Sequence, residues 1–336
     1  MRLIVPVATT LLLLVGPAIA AEPTLERGTV NFQPAPDESL VAERFRLPAH
    51  TFDYQLRPMD VPTEQFQILE LTFPSPVQTP HEKNNTVYCE YYRPKHDVTG
   101  ENKKMPAVIV LHILGGDFPL ARMFCNALAQ KGVAALFLKM PYYGPRRDPA
   151  VSRRMVSPDP KETVEGLTQA VLDIRRAAAW LGSREEIDAK RLGIFGISLG
   201  GITGALAATA ESRLSNVCLL LAGGDLGKVA WDSPELAIIR KRWLSGGGTR
   251  EEFVTALREV DPVRYARSIS GRRILMMNAA NDEVIPKVCT ESLWESFGKP
   301  PIHWFSGGHY SCIWHLPEAL SQVQTFFTAT ESAASP

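Results

Sequence analysis

Short apolar runs recur along this chain, and beyond Ala107 most of them are separated by segments whose apolar residues return at helical spacing. The runs fall at Phe66–Phe73, Val87–Tyr92, Ala107–Leu111, Val133–Leu138, Leu192–Phe195, Val217–Leu221, Ile274–Met277 and Ile302–Phe305, and each predicts a strand. The clearest helix is Glu162–Leu181, where Val164, Leu167, Val171, Ile174 and Ala178 form one apolar face and Asp173, Arg175 and Arg176 fall largely outside it. Strands alternating with helices require crossover connections, which predict a mainly parallel sheet. The first two runs leave no room for a helix between them and read as an antiparallel edge. The expected architecture is therefore α/β, with a mainly parallel eight-stranded sheet flanked by helices.

The flanking segments read differently. Arg2, the apolar stretch Leu3–Val15 and Ala18-Ile19-Ala20 match a secretory signal over residues 1–20, too short to span a bilayer and ending at a small-residue cleavage site. Export to the periplasm or medium, with no stable membrane anchor, is expected. Residues 21–63, rich in proline and charge, read as an extended arm, and residues 64–330 as the main domain. Within that domain, residues 225–273 form a long insertion with helix starts at Ser233-Pro234 and at Thr249 with Glu252, separated by Gly246-Gly247-Gly248. An insertion there is placed to form a small helical cap, or else to pack on the sheet flank.

Composition narrows the function class. Lys plus Arg and Asp plus Glu number 36 each in 336 residues, which argues against nucleic acid or an anionic membrane as partner and favours a small-molecule ligand. Five cysteines, an odd number, exclude a disulfide-built framework; buried free thiols are preferred to a bridge between Cys289 and Cys312.

The chemistry concentrates where Leu192–Phe195 runs into Gly196-Ile197-Ser198-Leu199-Gly200 and then a small-residue helix from Ile202 to Ala210. A tight strand-to-helix turn of this kind lifts its central residue above the sheet, which makes Ser198 the candidate nucleophile. A serine hydroxyl needs an imidazole to take its proton and a carboxylate to orient that imidazole. Asp282, opening the loop after the run at Ile274, is the candidate acid, with Glu283 and Asp225 as rivals. His309, in the glycine-hinged loop Ser306-Gly307-Gly308-His309-Tyr310 after the last strand, is the candidate base. His303 lies within a strand, and a metal cluster of His309, Cys312 and His315 lacks a second ligand group at zinc spacing. Charge that develops on a carbonyl oxygen needs backbone N–H donors, assigned to Leu199 and, in the loop His112–Gly116, to Leu114. Tyr142 and Tyr143, after the fourth strand, are pocket candidates or core residues; the paired Arg146 and Arg147 read as solvated.

In this order, from the loop at His112 through Pro141-Tyr142-Tyr143-Gly144, Asp173-Ile174-Arg175-Arg176, the Ser198 turn, Asp282–Pro286 and Gly308-His309, the chain resembles the α/β-hydrolase superfamily over about residues 87–327. The resemblance is to bacterial dienelactone-hydrolase and acetyl-xylan-esterase-like proteins. Ile113 stands where those proteins carry a glycine, and Ser198 where dienelactone hydrolases carry cysteine, which argues for an esterase. With the N-terminal signal, the resemblance implies an exported serine hydrolase cleaving a small-molecule carboxylic ester through an acyl-enzyme, with no metal or organic cofactor needed. A peptidase or acyltransferase on the same residues, or a silent binding protein of the same fold, remains the alternative.

Overall fold

One ten-stranded sheet runs through the molecule in the computed structural model, which describes residues 25–36, 38–95, 104–116 and 118–329. Its strands are β1 (Glu26–Phe32), β2 (His50–Pro58), β3 (Phe66–Pro74), β4 (Thr86–Pro94), β5 (Met105–Leu111), β6 (Ala134–Leu138), β7 (Ile187–Ile197), β8 (Leu214–Leu220), β9 (Arg273–Ala279) and β10 (Ile302–Phe305). They lie side by side in the order β1-β2-β3-β4-β6-β5-β7-β8-β9-β10. The pairings from β1 through β4 to β6 are antiparallel, and those from β6 through β5 to β10 are parallel. All eight apolar runs are strands of this sheet.

The strand count rises to ten because the stretch expected as a loose arm supplies β1 and β2. Val30 and Phe32 on β1, and Phe52 and Leu56 on β2, alternate into the core with polar residues between them. Of the prolines that suggested an irregular arm, Pro34, Pro36, Pro48 and Pro62 lie outside these two strands and Pro58 is the last residue of β2. β2 then pairs with β3, so the sheet continues without a break from this stretch into the main domain.

Among the described residues, eight α-helices are α1 (Phe118–Ala129), α2 (Pro160–Gly182), α3 (Leu199–Ala210), α4 (Leu226–Asp232), α5 (Ala237–Ser245), α6 (Arg250–Leu257), α7 (Lys287–Ser296) and α8 (Leu316–Thr328). Alternate residues of a strand serve opposite faces of the sheet. On β5, Ala107, Ile109 and Leu111 join the core shared with α2 and α3, whereas Val108 and Val110 join the one shared with α1 and α8. Both faces of the parallel strands are thus covered, which explains why these strands read as continuous apolar runs rather than as alternation.

The insertion between β8 and β9 contains α4, α5 and α6. The Thr249–Glu252 capping box forms as the sequence predicts, and α6 packs against α4 and α2. The short helical turns at Pro262–Ile269 lie on α3 and α7. α6 and these turns therefore rest on the sheet flank.

α2 departs from its expected amphipathic form, because Asp173 and Arg175 are fully buried. The N-terminal segment covers the helix face that would otherwise meet water. Arg175 Nη1 donates to Glu38 Oε1 at 2.8 Å and its Nε to Glu211 Oε2 at 3.3 Å. Asp173 pairs at 2.8 Å with Arg146, which is itself buried rather than solvated and also donates to the Asn84 and Lys139 carbonyls. Burial raises the Asp173 carboxyl above its ordinary value in spite of this partner. Glu90 on β4 behaves oppositely: burial would raise it, but Arg122 and Lys139 hold it down at about 2.

The turn from β7 into α3 is the tightest feature of the fold. Ser198 sits there with φ 53° and ψ −116°, outside the regions open to an unstrained L-residue, at a cost of about 1–3 kcal/mol. Its N–H donates to the Leu220 carbonyl of β8 at 2.8 Å, and its carbonyl accepts from Ile202 N–H at 2.9 Å, so both neighbouring elements fix the turn. A Cβ on Gly196 would run into the Gly200 backbone, and one on Gly200 would stand 2.6 Å from the Leu111 and His112 carbonyl oxygens. The spacing Gly-x-Ser-x-Gly is therefore a steric requirement of the turn. Gly200→Ala is expected to lose about 1–3 kcal/mol of stability in urea titrations, from overpacking against rigid backbone. Gly204→Ala, one turn further along α3 with its nearest neighbours at 3.6 Å, is expected to gain up to about 1 kcal/mol from helix propensity. The reverse order would show that the turn has room for a side chain.

Candidate active site

Parallel strands deliver their following loops to one edge of the sheet, and four such loops meet there. β5 and β7 pair in register from Ala107↔Leu192 to Leu111↔Gly196, which sets the loop after β5 beside Ser198. β9 and β10 pair from Ile302↔Met276 to Phe305↔Ala279, which sets Gly308-His309 beside Asp282. β8 lies between these two pairs and supplies the carbonyl that holds Ser198.

In this arrangement His309 bridges the other two candidates. Its Nε2 lies 3.0 Å from Ser198 Oγ and its Nδ1 lies 2.8 Å from Asp282 Oδ2. The remaining Asp282 oxygen accepts the N–H groups of Val284 at 2.9 Å and Ile285 at 2.7 Å, so the carboxylate cannot rotate away from the ring. Asp282 is almost wholly buried, and the His309 side chain is only 10% exposed, which keeps bulk water from competing for these bonds. A carboxylate bonded to Nδ1 places the imidazole proton on that nitrogen and leaves Nε2 free to accept from the serine hydroxyl.

Neither rival acid touches the imidazole ring. Glu283 Oε2 accepts the backbone N–H of His309 at 2.9 Å, so two consecutive carboxylates hold one histidine, the first by its ring and the second by its main chain. Adjacency to Asp282 carries no signal for this second contact in the sequence. Asp225 heads α4 with φ 52°.

Leu199 opens α3, where the first N–H groups have no acceptor within the helix. Leu114 lies with Ile113 along the cavity beside Ser198. The loop that carries them is tied down by His112, whose Nδ1 donates to the Ile113 carbonyl at 2.8 Å and whose Nε2 accepts from Met140 N–H at 3.2 Å. Burial pushes the His112 imidazole down to about 4, so it is neutral near pH 7. Across the trans Ile113–Leu114 peptide, N–H and C=O point in opposite directions, so the Leu114 N–H is aimed away from the His112 ring.

Tyr142 and Tyr143 are not among the residues that line this cavity, and both pack as the core alternative expects. Tyr142 is buried with φ 65°; its N–H donates to Asn84 Oδ1 at 2.9 Å, and its ring packs edge-on against His81 and under Arg153. Tyr143 stacks edge-on against His112 at 4.5 Å, and burial pushes its hydroxyl up to about 12. Both aromatics support the loop after β6. His315 turns away from His309: its Nε2 lies 2.9 Å from Ser306 Oγ and its ring stacks on Phe305. All five cysteines are free and buried, so Cys289 and Cys312 are not bridged.

Beside Ser198 and His309 lies a cavity of about 360 Å³ between α1, α8 and the ends of β7 and β8. Its walls are mainly apolar, and Glu235 and Tyr310 stand at its mouth, where the Tyr310 hydroxyl donates to the Glu235 carboxylate. Glu235 comes from the insertion, and it was not singled out from the sequence.

Comparison with known proteins agrees with this architecture. Residues 58–225, half of the chain, match the family described as alpha/beta hydrolase domain containing 18, and residues 168–296 match the prolyl oligopeptidase family. An uncharacterized protein of Mycobacterium tuberculosis (strain ATCC 25618 / H37Rv) is 32% identical over 177 residues, 51% of this chain, and the match spans only 40% of that relative's length. Among solved structures, the acetyl xylan esterase from Paenibacillus sp. R4 superposes with a TM-score of 0.62 at 21% identity, covering 81% of this chain and 88% of its own. Acetyl xylan esterase 1 from Thermoanaerobacterium sp. JW/SL YS485 gives 0.61 at 19% identity, covering 80% and 87%. The Pyrococcus horikoshii acylaminoacyl peptidase gives 0.55 at 14% identity, covering 84% of this chain and 46% of its own. At these identities the solved structures speak for the fold, whereas the family match speaks for descent: the chain belongs to the alpha/beta hydrolase domain containing 18 family of the α/β-hydrolase superfamily.

Proposed function

We propose that this protein is an exported serine hydrolase that cleaves a carboxylic ester. The observation that carries the reading is the pair of bonds at His309, 3.0 Å to Ser198 Oγ and 2.8 Å to Asp282 Oδ2, at the mouth of a cavity able to hold a ligand. In the proposed cycle His309 Nε2 takes the proton as Ser198 Oγ attacks the ester carbonyl. The Leu199 and Leu114 N–H groups then receive the oxyanion. As the tetrahedral intermediate collapses, His309 returns that proton to the departing alcohol, leaving an acyl-enzyme on Ser198. Water, deprotonated by the same nitrogen, attacks the acyl carbon next; the bond to Ser198 Oγ breaks as His309 returns the proton to that oxygen, and the acid is released. Asp282 orients the ring and stabilises the imidazolium without itself being protonated.

A peptidase is the second reading, favoured by the match of residues 168–296 to the prolyl oligopeptidase family. Aryl esters assayed beside the corresponding p-nitroanilides separate the two.

Labelling by a fluorophosphonate probe, abolished in Ser198→Ala, is the expected signature of the nucleophile. Asp282→Asn should keep the wild-type melting temperature within a few degrees while kcat on aryl esters falls on the order of ten-thousand-fold. Unlabelled folded protein, or near-normal turnover in Asp282→Asn, would overturn the assignment.

Glu283→Ala removes the acceptor of the His309 N–H and is expected to lower kcat about three- to tenfold with KM unchanged; Glu283→Gln, which can still accept, should restore it. Equal losses in both variants would contradict the clamp.

Export rests on Arg2, Leu3–Val15 and Ala18-Ile19-Ala20, which lie outside the described residues. Intact-mass analysis of protein recovered from the periplasm or medium should find a chain beginning at Ala21; full-length chain confined to the cytoplasm would refute it.

A further inference from the structure

We infer that the acyl part of the substrate is an unbranched aliphatic chain of about six to ten carbons, lodged in the apolar cavity beside Ser198; the inference rests on the hydrolase reading above. The cavity leads inward from an exposed rim, where Tyr310 and Ile313 are more than half accessible, to buried walls formed by Phe124, Ile197, Leu220 and Ala319. At about 360 Å³ it falls in the range of small-molecule pockets, about 300–1,000 Å³. At the roughly 30 Å³ that a water molecule takes in the liquid, it has room for about a dozen small groups, and a methylene is of similar size.

The polar side chains along this cavity are already engaged with one another. Ser198 bonds His309, and Tyr310 bonds Glu235 at the mouth. Among the described lining residues no further hydroxyl, amide or charged side chain faces the walls. A polyhydroxylated group entering there would give up its hydrogen bonds to water without replacement. A methylene chain loses nothing and leaves water with each carbon added, an advantage of about fourfold in binding per methylene.

The chain is assigned to the acyl rather than the alcohol side by the order of the reaction. The alcohol must depart while the acyl group is still bonded to Ser198, so the enclosed space suits the part that stays and the open rim the part that leaves. A small acetyl group, by contrast, would leave most of the cavity unfilled.

The test is kcat/KM for a series of p-nitrophenyl esters from acetate to dodecanoate, run beside n-alkyl acetates from ethyl to octyl. The expected result is a rise of about fourfold per methylene along the acyl series to a maximum between about six and ten carbons, with no comparable rise along the alkyl acetates. Ala319→Phe, which fills the inner wall, should move the maximum to chains at least two carbons shorter; Leu316→Phe, at a half-buried lining position on α8, serves the same purpose if the first variant does not fold. Acetate as the best substrate, or a gain that follows the alcohol chain instead, would overturn the inference. Fluorophosphonate labelling of Ser198 keeps the two claims apart: labelled protein without the acyl-chain preference refutes this inference alone, and protein neither labelled nor active on any ester refutes both.

Discussion

Everything in the site depends on one strained residue. Ser198 is held at positive φ between the central strand β7 and the helix α3, and its backbone is anchored on both sides, by β8 and by the first turn of α3. The strain of about 1–3 kcal/mol is sustained because β7 and its neighbours are buried on both faces, so relaxing the turn would mean moving packed strands. On this turn Ser198 stands at the sheet edge within 3.0 Å of a histidine from a loop beyond two further strands. The backbone approach that makes the turn possible in turn admits only glycine at positions 196 and 200.

The partner loop is controlled from two directions by neighbouring residues of one segment. Asp282 is bound by two backbone N–H groups and faces the His309 ring, and Glu283 reaches the His309 main chain. A histidine on a glycine-containing loop has much freedom to lose, and these two acceptors fix its ring and its backbone separately. Because β9 and β10 are paired in register just before both segments, the clamp inherits its alignment from the sheet.

The parts of this arrangement legible in the sequence are those whose cause is local. Eight strands announced themselves as apolar runs, and the Ser198 turn as glycines at fixed spacing. Asp282 and His309 stood at the ends of apolar runs, where a parallel sheet collects its loops. What escaped had distant causes. β1 and β2 alternate correctly, but the prolines around them mask the pattern, and only pairing with β3 makes strands of them. Asp173 and Arg175 look like the wet side of α2 because the residues that cover them, Ser75, Glu38 and Phe45, are about a hundred or more positions away in the chain. Tyr142 and Tyr143 follow a strand end as pocket residues often do, yet His81, Arg153 and His112 claim their rings.

The same separation of faces explains what the insertion can and cannot do. The cavity walls come from α1, α8 and the strand residues directed to that side of the sheet. The insertion packs on α2 and α3, against the opposite side. To meet the cavity at all it has to reach across the ends of the strands, which it does where Glu235 accepts from Tyr310, the residue after His309. It therefore touches the rim and not the inner walls. The mouth is open to change through this segment, whereas the length and shape of the cavity are set by side chains of the sheet and its α1–α8 layer, most of which also belong to the core.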